Sequence, residues 1–278
     1  MSHRFGWIVS GLLLGGIASA GRLAAQQAWL GSGTRGEVAL EVLRPDVKNV
    51  GDQSSASLAL FLSGRFPAGA KTSLVVEVPF ATGSFALSYF GTSTTESGST
   101  LGNPYIGIEG GRDGSQVFGE LGVRAPLASD TRLAPVMIGA AADLEREDAF
   151  VPKVATVSAF ANFRAASPSG LMFRVRGGPL AWIATENGVL GTKDAELWLA
   201  YLVQAGYRSP GFTFLGGVGG RAILTEDVDR RFTDQLVLAA AFGPARFRPG
   251  VSVRLPIDND RDQVVGASIG LSVSIALR

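Results

Sequence analysis

The sequence contains no cysteine and only one histidine, His3, among its 278 residues. Without cysteine the chain can form no disulfide, no thiolate metal site and no lipoprotein-type anchor. Because His3 lies in a segment that we expect to be removed, histidine-dependent hydrolysis, proteolysis and metal catalysis are not expected of the mature chain. We therefore predict that the protein is not an enzyme and uses no cofactor.

The sequence also lacks an excess of charge of either sign, with 25 basic and 24 acidic residues. Proteins that bind nucleic acid concentrate positive charge on one face, so no nucleic-acid partner is predicted. The acidic runs at residues 143–148 and 258–262 are interpreted as solvated charge in exposed loops. The second run lacks the glycine and the later glutamate of a calcium-binding loop, and no metal site is predicted.

The amino-terminal segment has the features of an export signal. His3 and Arg4 precede an apolar run at residues 5–17, and small residues follow, which allow cleavage after Ala20 or after Ala25. The apolar run is shorter than the roughly 20 residues of a membrane-spanning helix. We predict a signal peptide at residues 1–25 and a single domain at residues 26–278.

The dominant period of the remaining sequence is two. In residues 71–80 every second residue, counted from Thr72, is mostly apolar, and residues 264–277 alternate apolar with small side chains. Twelve such segments of roughly 9 to 14 residues follow one another. Strands of soluble proteins average about 5 or 6 residues, whereas a tilted membrane-spanning strand needs about 9 to 11. The segments therefore resemble membrane-spanning strands.

The connections between these segments alternate strictly in length. Short turns and longer loops on alternate ends, with both termini on the short-turn side, are typical of an even-stranded up-and-down barrel. The fold class predicted is all-β, a single antiparallel transmembrane β-barrel of about twelve strands. The short turns are residues 67–70, 113–115, 166–170, 209–210 and 243–244, and the longer loops are residues 44–55, 81–102, 127–152, 184–195, 225–231 and 257–263.

One segment departs from the period of two. The apolar residues between positions 133 and 144 follow helical spacing, which predicts a short helix in the third longer loop. The alternative makes this segment a strand. Residues 85–91 must then also form a strand to keep the number even, and the barrel would have fourteen strands.

Most charged strand residues fall on the face opposite the apolar one. A charge that faces lipid at mid-depth costs roughly 2 to 4 kcal/mol, so this agreement predicts a polar lumen. The predicted lumen residues are Arg65, Arg124, Arg164, Arg174, Arg176, Arg208, Arg221, Arg246, Arg248 and Arg254 with Glu37, Glu41, Glu77, Glu109, Glu120 and Glu196.

Two interpretations of these lumen residues remain open. Arginine and glutamate side chains can pair across strands and fill a narrow barrel, as buried charges must. Alternatively, the surplus of arginine lines a water-filled path and forms an anion-selective constriction, because pore-lining charge sets selectivity. The cluster predicted to form such a constriction consists of Arg174, Arg176, Arg246, Arg248 and Arg254.

Two further features have a structural and a functional interpretation. The glycine-rich run at residues 216–220 lies inside a strand pattern and lacks a following helix or lysine. It therefore predicts close packing or a bend rather than a phosphate-binding loop. Trp182 and Trp198 fall on the inner face, where they would serve either packing or solute stacking.

Three short stretches resemble a known family. The sequence VPF at residues 78–80, LGNPYIG at residues 101–107 and GELGVRAP at residues 119–126 are similar to strand ends in bacterial outer-membrane transporter-like barrels, including the phenol-degradation (meta-pathway) group. The resemblance covers about half of the chain. It implies a barrel of about twelve strands and a role in the uptake of small organic molecules, and it defines no functional residues.

Together, these patterns predict a bacterial outer-membrane channel for passive passage of a small organic or anionic solute, with membrane lipid as its other partner. The alternative is a closed structural or adhesion barrel whose long outer loops bind a partner. The sequence carries no indication of the oligomeric state or of the solute.

Overall fold

A computed structural model describes residues 36–48, 50–89, 92–111, 115–187, 189–191, 193–225, 232–244, 246–258 and 264–277. The predicted signal peptide lies outside the described residues, as does most of the acidic run at 258–262.

Within these described residues, thirteen strands and two short helices follow one another. The strands are β1 (Glu37–Val47), β2 (Leu58–Pro67), β3 (Thr72–Tyr89), β4 (Thr92–Leu101), β5 (Tyr105–Gly110), β6 (Val117–Arg124), β7 (Val154–Ala166), β8 (Leu171–Ala184), β9 (Ala195–Ser209), β10 (Phe212–Ile223), β11 (Phe232–Phe242), β12 (Phe247–Pro256) and β13 (Val265–Ala276). Between β6 and β7 lie helix α1 (Leu133–Ala142) and a 3₁₀ helix (Leu144–Ala149).

Twelve of the strands form a closed antiparallel barrel. Each strand pairs with its neighbour in sequence, and β1 closes the ring by pairing with β13, with Glu37 opposite Ala276. Closure satisfies the backbone groups that an open sheet edge would leave unpaired. The twelve-strand prediction is confirmed. The fourteen-strand alternative is wrong, because most of residues 133–144 form a helix.

Strand β4 is the one strand outside the ring. Residues 81–102 were predicted to be a loop, and that prediction is wrong: β3 continues beyond Phe80, and β4 pairs back along it. The first half of β3 pairs instead with β5. Many polar residues in β4 hid the hairpin from a pattern search. The chain leaves this hairpin and enters the barrel wall at residues 102–104, between β4 and β5.

The polarity of the barrel wall is inverted relative to that of a soluble protein. In β6, Val117, Leu121 and Val123 are exposed on the outer face, whereas Glu120 and Arg124 are 4% and 2% exposed. Exposed large apolar side chains recur on the other strands. An apolar outside and a polar inside are typical of a barrel that crosses a membrane.

The third long loop folds into the lumen. Ile138 of α1 packs with Phe85 and Val265 on the wall, and Phe150 packs with Phe61, at 5.8 Å between ring centroids. We call residues 133–150 the plug. The short helix is confirmed, but it lies inside the barrel. Neither helix in the described part of the chain has the length and apolar character needed to cross a membrane.

Candidate functional site

The lumen has two ends of different construction. We call the end with the connections at residues 68–71, 167–170 and 210–211 the short-turn end, and the opposite end, from which the plug descends, the long-loop end.

Arg146 is the central cation of the plug. Its guanidinium group donates to Asp143 of the plug at 2.8 Å, to Glu77 of β3 at 3.1 Å and to Glu41 of β1. Its carbon Cζ also lies 3.7 Å from the ring centroid of Phe61. A buried cation is stable only when its donors find acceptors, and Arg146 finds them on three carboxylates.

Strands β11 and β12 contact the same group of charges. Arg254 of β12 donates to Glu41 at 2.7 Å, and its Nε lies 3.3 Å from Asp143. Gln235 of β11 donates through Nε2 to Asp143 at 2.9 Å and accepts from the backbone N–H of Leu144. The 3₁₀ helix is therefore bonded to both sides of the barrel.

Asp148 ties the end of the plug to two further arginines. Arg124 donates from Nε to Asp148 at 3.0 Å and from Nη2 to Glu77 at 2.7 Å. Arg221 donates to Asp148 at 3.1 Å and to the backbone oxygen of Glu145. Near this end, Arg176 pairs with Glu120 at 3.0 Å. We call these ten charges the ionic network: Glu41, Glu77, Glu120, Asp143 and Asp148 with Arg124, Arg146, Arg176, Arg221 and Arg254.

Asn103 holds the two ends of the plug loop without any charge. Its side chain is fully buried, and its Nδ2 donates to the backbone oxygens of Asp148 at 2.9 Å and Val151 at 2.7 Å. Its Oδ1 accepts from the backbone N–H of Ala128 at 2.8 Å. The sequence interpretation assigned Asn103 no role, although it lies within the stretch that resembles outer-membrane barrels.

Glycines provide the space that the plug occupies. A side-chain carbon on Gly219 would collide with the Glu145 carboxylate, and one on Gly102 would collide with the backbone oxygen of Ala149. A carbon on Gly217 would meet the backbone of the adjacent strand. The interpretation of residues 216–220 as a close-packing segment is confirmed, and part of what packs there is the plug.

The interpretation of residues 143–148 as solvated charge is wrong. Asp143, Arg146 and Asp148 are each at most 5% exposed. In the sequence, charges after an apolar helix look like a solvated loop end. In the fold, the helix enters the lumen, so its charged tail meets the charged inner faces of the strands. Within the described ranges, no group of three or more histidine, cysteine or acidic side chains is arranged to hold a metal.

Burial and neighbouring charges act in opposite directions on the plug carboxylates. Burial alone would raise the pKa of Asp143, but the guanidinium groups of Arg254 and Arg146 lower it well below its ordinary value. For Glu145, burial and the Asp143 carboxylate raise the pKa to about 7. Asp143 is therefore a fixed anion, whereas Glu145 titrates near neutrality.

The short-turn end of the lumen holds mainly arginine. Arg65 pairs with Glu109, and Arg248 donates to Thr213 at 3.0 Å. Arg164 on β7 lies directly opposite Arg174 on β8. The ionisable wall residues at this end are five arginines and two glutamates: Arg65, Arg164, Arg174, Arg208, Arg248, Glu37 and Glu109.

The structure separates the cluster that was predicted to form a constriction. Arg176 and Arg254 belong to the ionic network, whereas Arg174 and Arg248 lie at the short-turn end. The placement of Arg246 in the lumen is wrong: it is exposed in the turn before β12, because that strand begins at Phe247, two residues later than the pattern suggested.

The other predicted lumen residues divide in two by burial. Arg208 and Glu196 are half-buried. The buried set is Arg65, Arg124, Arg164, Arg174, Arg176, Arg221, Arg248, Arg254, Glu37, Glu41, Glu77, Glu109 and Glu120. Their role in solute passage stays a prediction.

A small cavity lies beside the plug in the lumen. Its volume is about 30 Å³, and its lining includes Tyr105, Glu145 and Tyr201. A water molecule needs about 10–15 Å³ by this measure, so the cavity has room for about two waters and none for an organic solute. Nearby, the Trp182 and Trp198 rings lie 5.1 Å apart and pack with Phe160 and Leu180. In the described conformation these tryptophans serve packing.

The fold and site thus define a closed twelve-strand barrel with an apolar exterior, a charged lumen and an inserted loop. No protein-family model matches the sequence, and no curated protein matches it. Solved structures do share the fold. An outer membrane channel from Pseudomonas putida F1 is 10% identical with a TM-score of 0.58, over 94% of this chain and 100% of that one.

Two further barrels are similar to comparable extents. The NanC porin is 10% identical with a TM-score of 0.55, over 86% of this chain and 100% of that one. LpxR from Salmonella typhimurium is 13% identical with a TM-score of 0.50, over 87% of this chain and 100% of that one. At these identities the likeness establishes the barrel fold and transfers no residue roles.

Proposed function

We propose that this protein spans a bacterial outer membrane as a passive channel for small organic or anionic solutes, after export with cleavage of residues 1–25. The observation that carries the proposal is the inverted polarity of the wall, with large apolar side chains outside and an arginine-rich lumen inside. A barrel that served only as an anchor would not need a surplus of arginine in its lumen. Pore-lining charge, by contrast, sets the selectivity of a channel.

The solved structures support this proposal by their fold. Two of the three carry the names channel and porin. The barrel shared with LpxR carries no catalytic residues to this chain, and the only histidine here is His3. We therefore propose passage of a solute rather than its conversion. Membership of the phenol-degradation group is proposed on the three similar stretches alone.

One observation favours a second candidate, a closed structural or adhesion barrel. Arginine–carboxylate pairs hold the plug in the long-loop end of the lumen, and the cavity beside it is too small for an organic solute. For a channel, we expect the plug to move when a solute passes. For a closed barrel, the plug stays in place.

Planar-bilayer recording of the purified barrel separates the two candidates. We expect discrete openings in the unmodified protein, and longer or larger openings in Arg146→Met, because that change removes the cation that anchors the plug to β1 and β3. Arg132→Met alters an exposed arginine of the same loop and is the matched control. An absence of openings in all three proteins would contradict the channel and favour the closed barrel.

A further inference from the structure

Four arginines line the short-turn end of the lumen, on strands β7, β8, β9 and β12. Arg164 and Arg174 are directly opposite each other on β7 and β8. Arg208 on β9 is directly opposite Thr213 on β10, and Thr213 accepts the hydrogen bond from Arg248 of β12 at 3.0 Å. Thr213 therefore lies between two of the arginines. We call Arg164, Arg174, Arg208 and Arg248 the arginine group.

The charges of this group act on one another across the lumen. Arg174 interacts electrostatically with Arg164, with Glu37 of β1 and with Glu145 of the plug. Arg248 interacts with the same Glu37, and Arg208 interacts with Arg248. The other nearby glutamate, Glu109, is paired with Arg65. The carboxylate of Glu37 thus acts on two of the four guanidinium groups, those of Arg174 and Arg248.

Buried amides complete the surroundings. Gln204 is 2% exposed and lies directly opposite Arg174. Its Oε1 has no hydrogen-bond partner among the described residues. Asn162, two positions before Arg164 on the same strand, is also buried, and its Nδ2 donor likewise has no partner there. A ligand that accepts hydrogen bonds would satisfy the donor of Asn162.

The chemistry of the arginine group selects the ligand. Guanidinium groups remain charged in proteins, and like charges on directly opposite strand positions repel. A buried surplus of positive charge is stabilised by a counter-anion. The guanidinium fork matches two oxygens of one carboxylate or phosphate group, so an oxyanion satisfies several donors at once.

We propose that the arginine group is a binding site for a small oxyanion, the carboxylate or phosphate group of a solute, with Asn162 and Thr213 as its neutral polar partners. This inference rests on the proposed channel function and names the substrate class of that channel. It places the selective step at the short-turn end, away from the plug.

Anion binding to the purified barrel in detergent tests the site independently of conduction. The melting temperature is measured while benzoate or phosphate replaces chloride at constant ionic strength. We expect the melting temperature to rise in a saturable way with at least one of the two anions. The double change Arg174→Gln with Arg248→Gln should weaken the apparent Kd about tenfold or more, since a charge-assisted hydrogen bond is among the stronger ones in proteins.

Arg246→Gln is the matched control, because it removes the same charge from an exposed turn residue of the same barrel end. Arg174→Lys keeps the charge but loses the fork, and it should weaken anion binding without abolishing it. Saturation by benzoate alone identifies a carboxylate site, and saturation by phosphate alone identifies a phosphate site. The proposal is overturned if neither anion gives a saturable rise in melting temperature. It is also overturned if Arg246→Gln weakens anion binding as much as the double change does.

Reversal potentials in a salt gradient separate this site from the proposed function. Openings that prefer chloride over cations, with the preference lost in the double variant, support both. If the barrel opens without anion preference and its melting temperature does not depend on the anion, the proposed channel stands and the proposed site is wrong. Anion-dependent melting without openings in any variant leaves the site standing and overturns the channel.

Discussion

The two ends of the lumen are built from the same residue types in different proportions. At the long-loop end, five arginines face five carboxylates of the ionic network, and two of those carboxylates and one of those arginines come from the plug. At the short-turn end, five arginines of the wall face two glutamates. Balanced charge holds a loop inside the barrel, whereas surplus charge calls for an anion from outside. The barrel can therefore be closed at one end and selective at the other.

The largest expected effect is the loss of the plug in Arg146→Met. The change leaves Glu41, Glu77 and Asp143 buried without the cation that they share. Removing one partner of a buried pair costs about 3–5 kcal/mol, which we expect to appear as undocking of the plug. Limited proteolysis of the folded barrel should cut residues 125–153 much faster than in the unmodified protein.

The exposed Arg132 provides the control for this prediction. Arg132→Met should leave the cleavage rate within error of the unmodified protein. Equal cleavage in Arg146→Met and the unmodified barrel would show that apolar packing, including that of Phe150 on Phe61, holds the plug without the ionic network.

A smaller effect on the same end is expected from Asn103→Ala. It removes two donors and one acceptor that hold the plug loop, and it leaves three backbone groups without these partners. Such a loss costs about 1–3 kcal/mol. Proteolysis of residues 125–153 should accelerate, though less than in Arg146→Met. Asn162→Ala, the same change at the short-turn end, should leave cleavage unchanged, and equal acceleration in both would contradict the separation of the two ends.

The sequence predicted the wall of this barrel better than its contents. Parity along β6 placed Glu120 and Arg124 on one face because alternation is a local property of a strand. The partners of Arg146 could not be found in this way, since Glu41 lies 105 residues away along the chain. The same helical pattern is compatible with a loop outside the barrel and with a plug inside it.

Two signals for the plug were nevertheless present in the sequence. Glycines recur in residues 216–220 on the strand that the plug approaches, and an asparagine follows Gly102 at the break between β4 and β5. Of these, Gly219 and Asn103 are explained by the contacts of residues 143–151. A pattern search sees the missing side chains but not the segment that fills their space.

Acidity provides a graded test of plug docking through Glu145. Burial and Asp143 raise its pKa from 4.5 to about 7, so the docked plug binds this proton more tightly than the undocked plug does. The contribution of Glu145 to the stability of the docked plug is fully present below about pH 4.5 and is lost as the pH rises through about 7. Proteolysis of residues 125–153 should therefore accelerate over this range.

Asp143 has the opposite effect on plug docking, because its pKa is lowered. Its contribution to docking is lost only as the pH falls below the ordinary pKa of an aspartate side chain. Glu145→Gln should abolish the acceleration between pH 4.5 and about 7 and keep the plug docked at neutral pH. An unchanged pH profile in that variant would assign the dependence to another group.

The smallest expected effect is that of Arg174→Met, and its comparison with Arg254→Met is the most direct test of the difference between the two ends. Arg254→Met removes the partner of Glu41 and Asp143, and it should destabilise the barrel by about 3–5 kcal/mol. Arg174→Met removes a cation that lies opposite Arg164, so relief of repulsion offsets the contacts that are lost. The free energy of unfolding, measured with urea in lipid vesicles, should therefore change by less than about 1 kcal/mol. Equal destabilisation by the two changes would mean that the short-turn arginines are held by protein carboxylates as firmly as the ionic network is, which would leave no surplus for an anion.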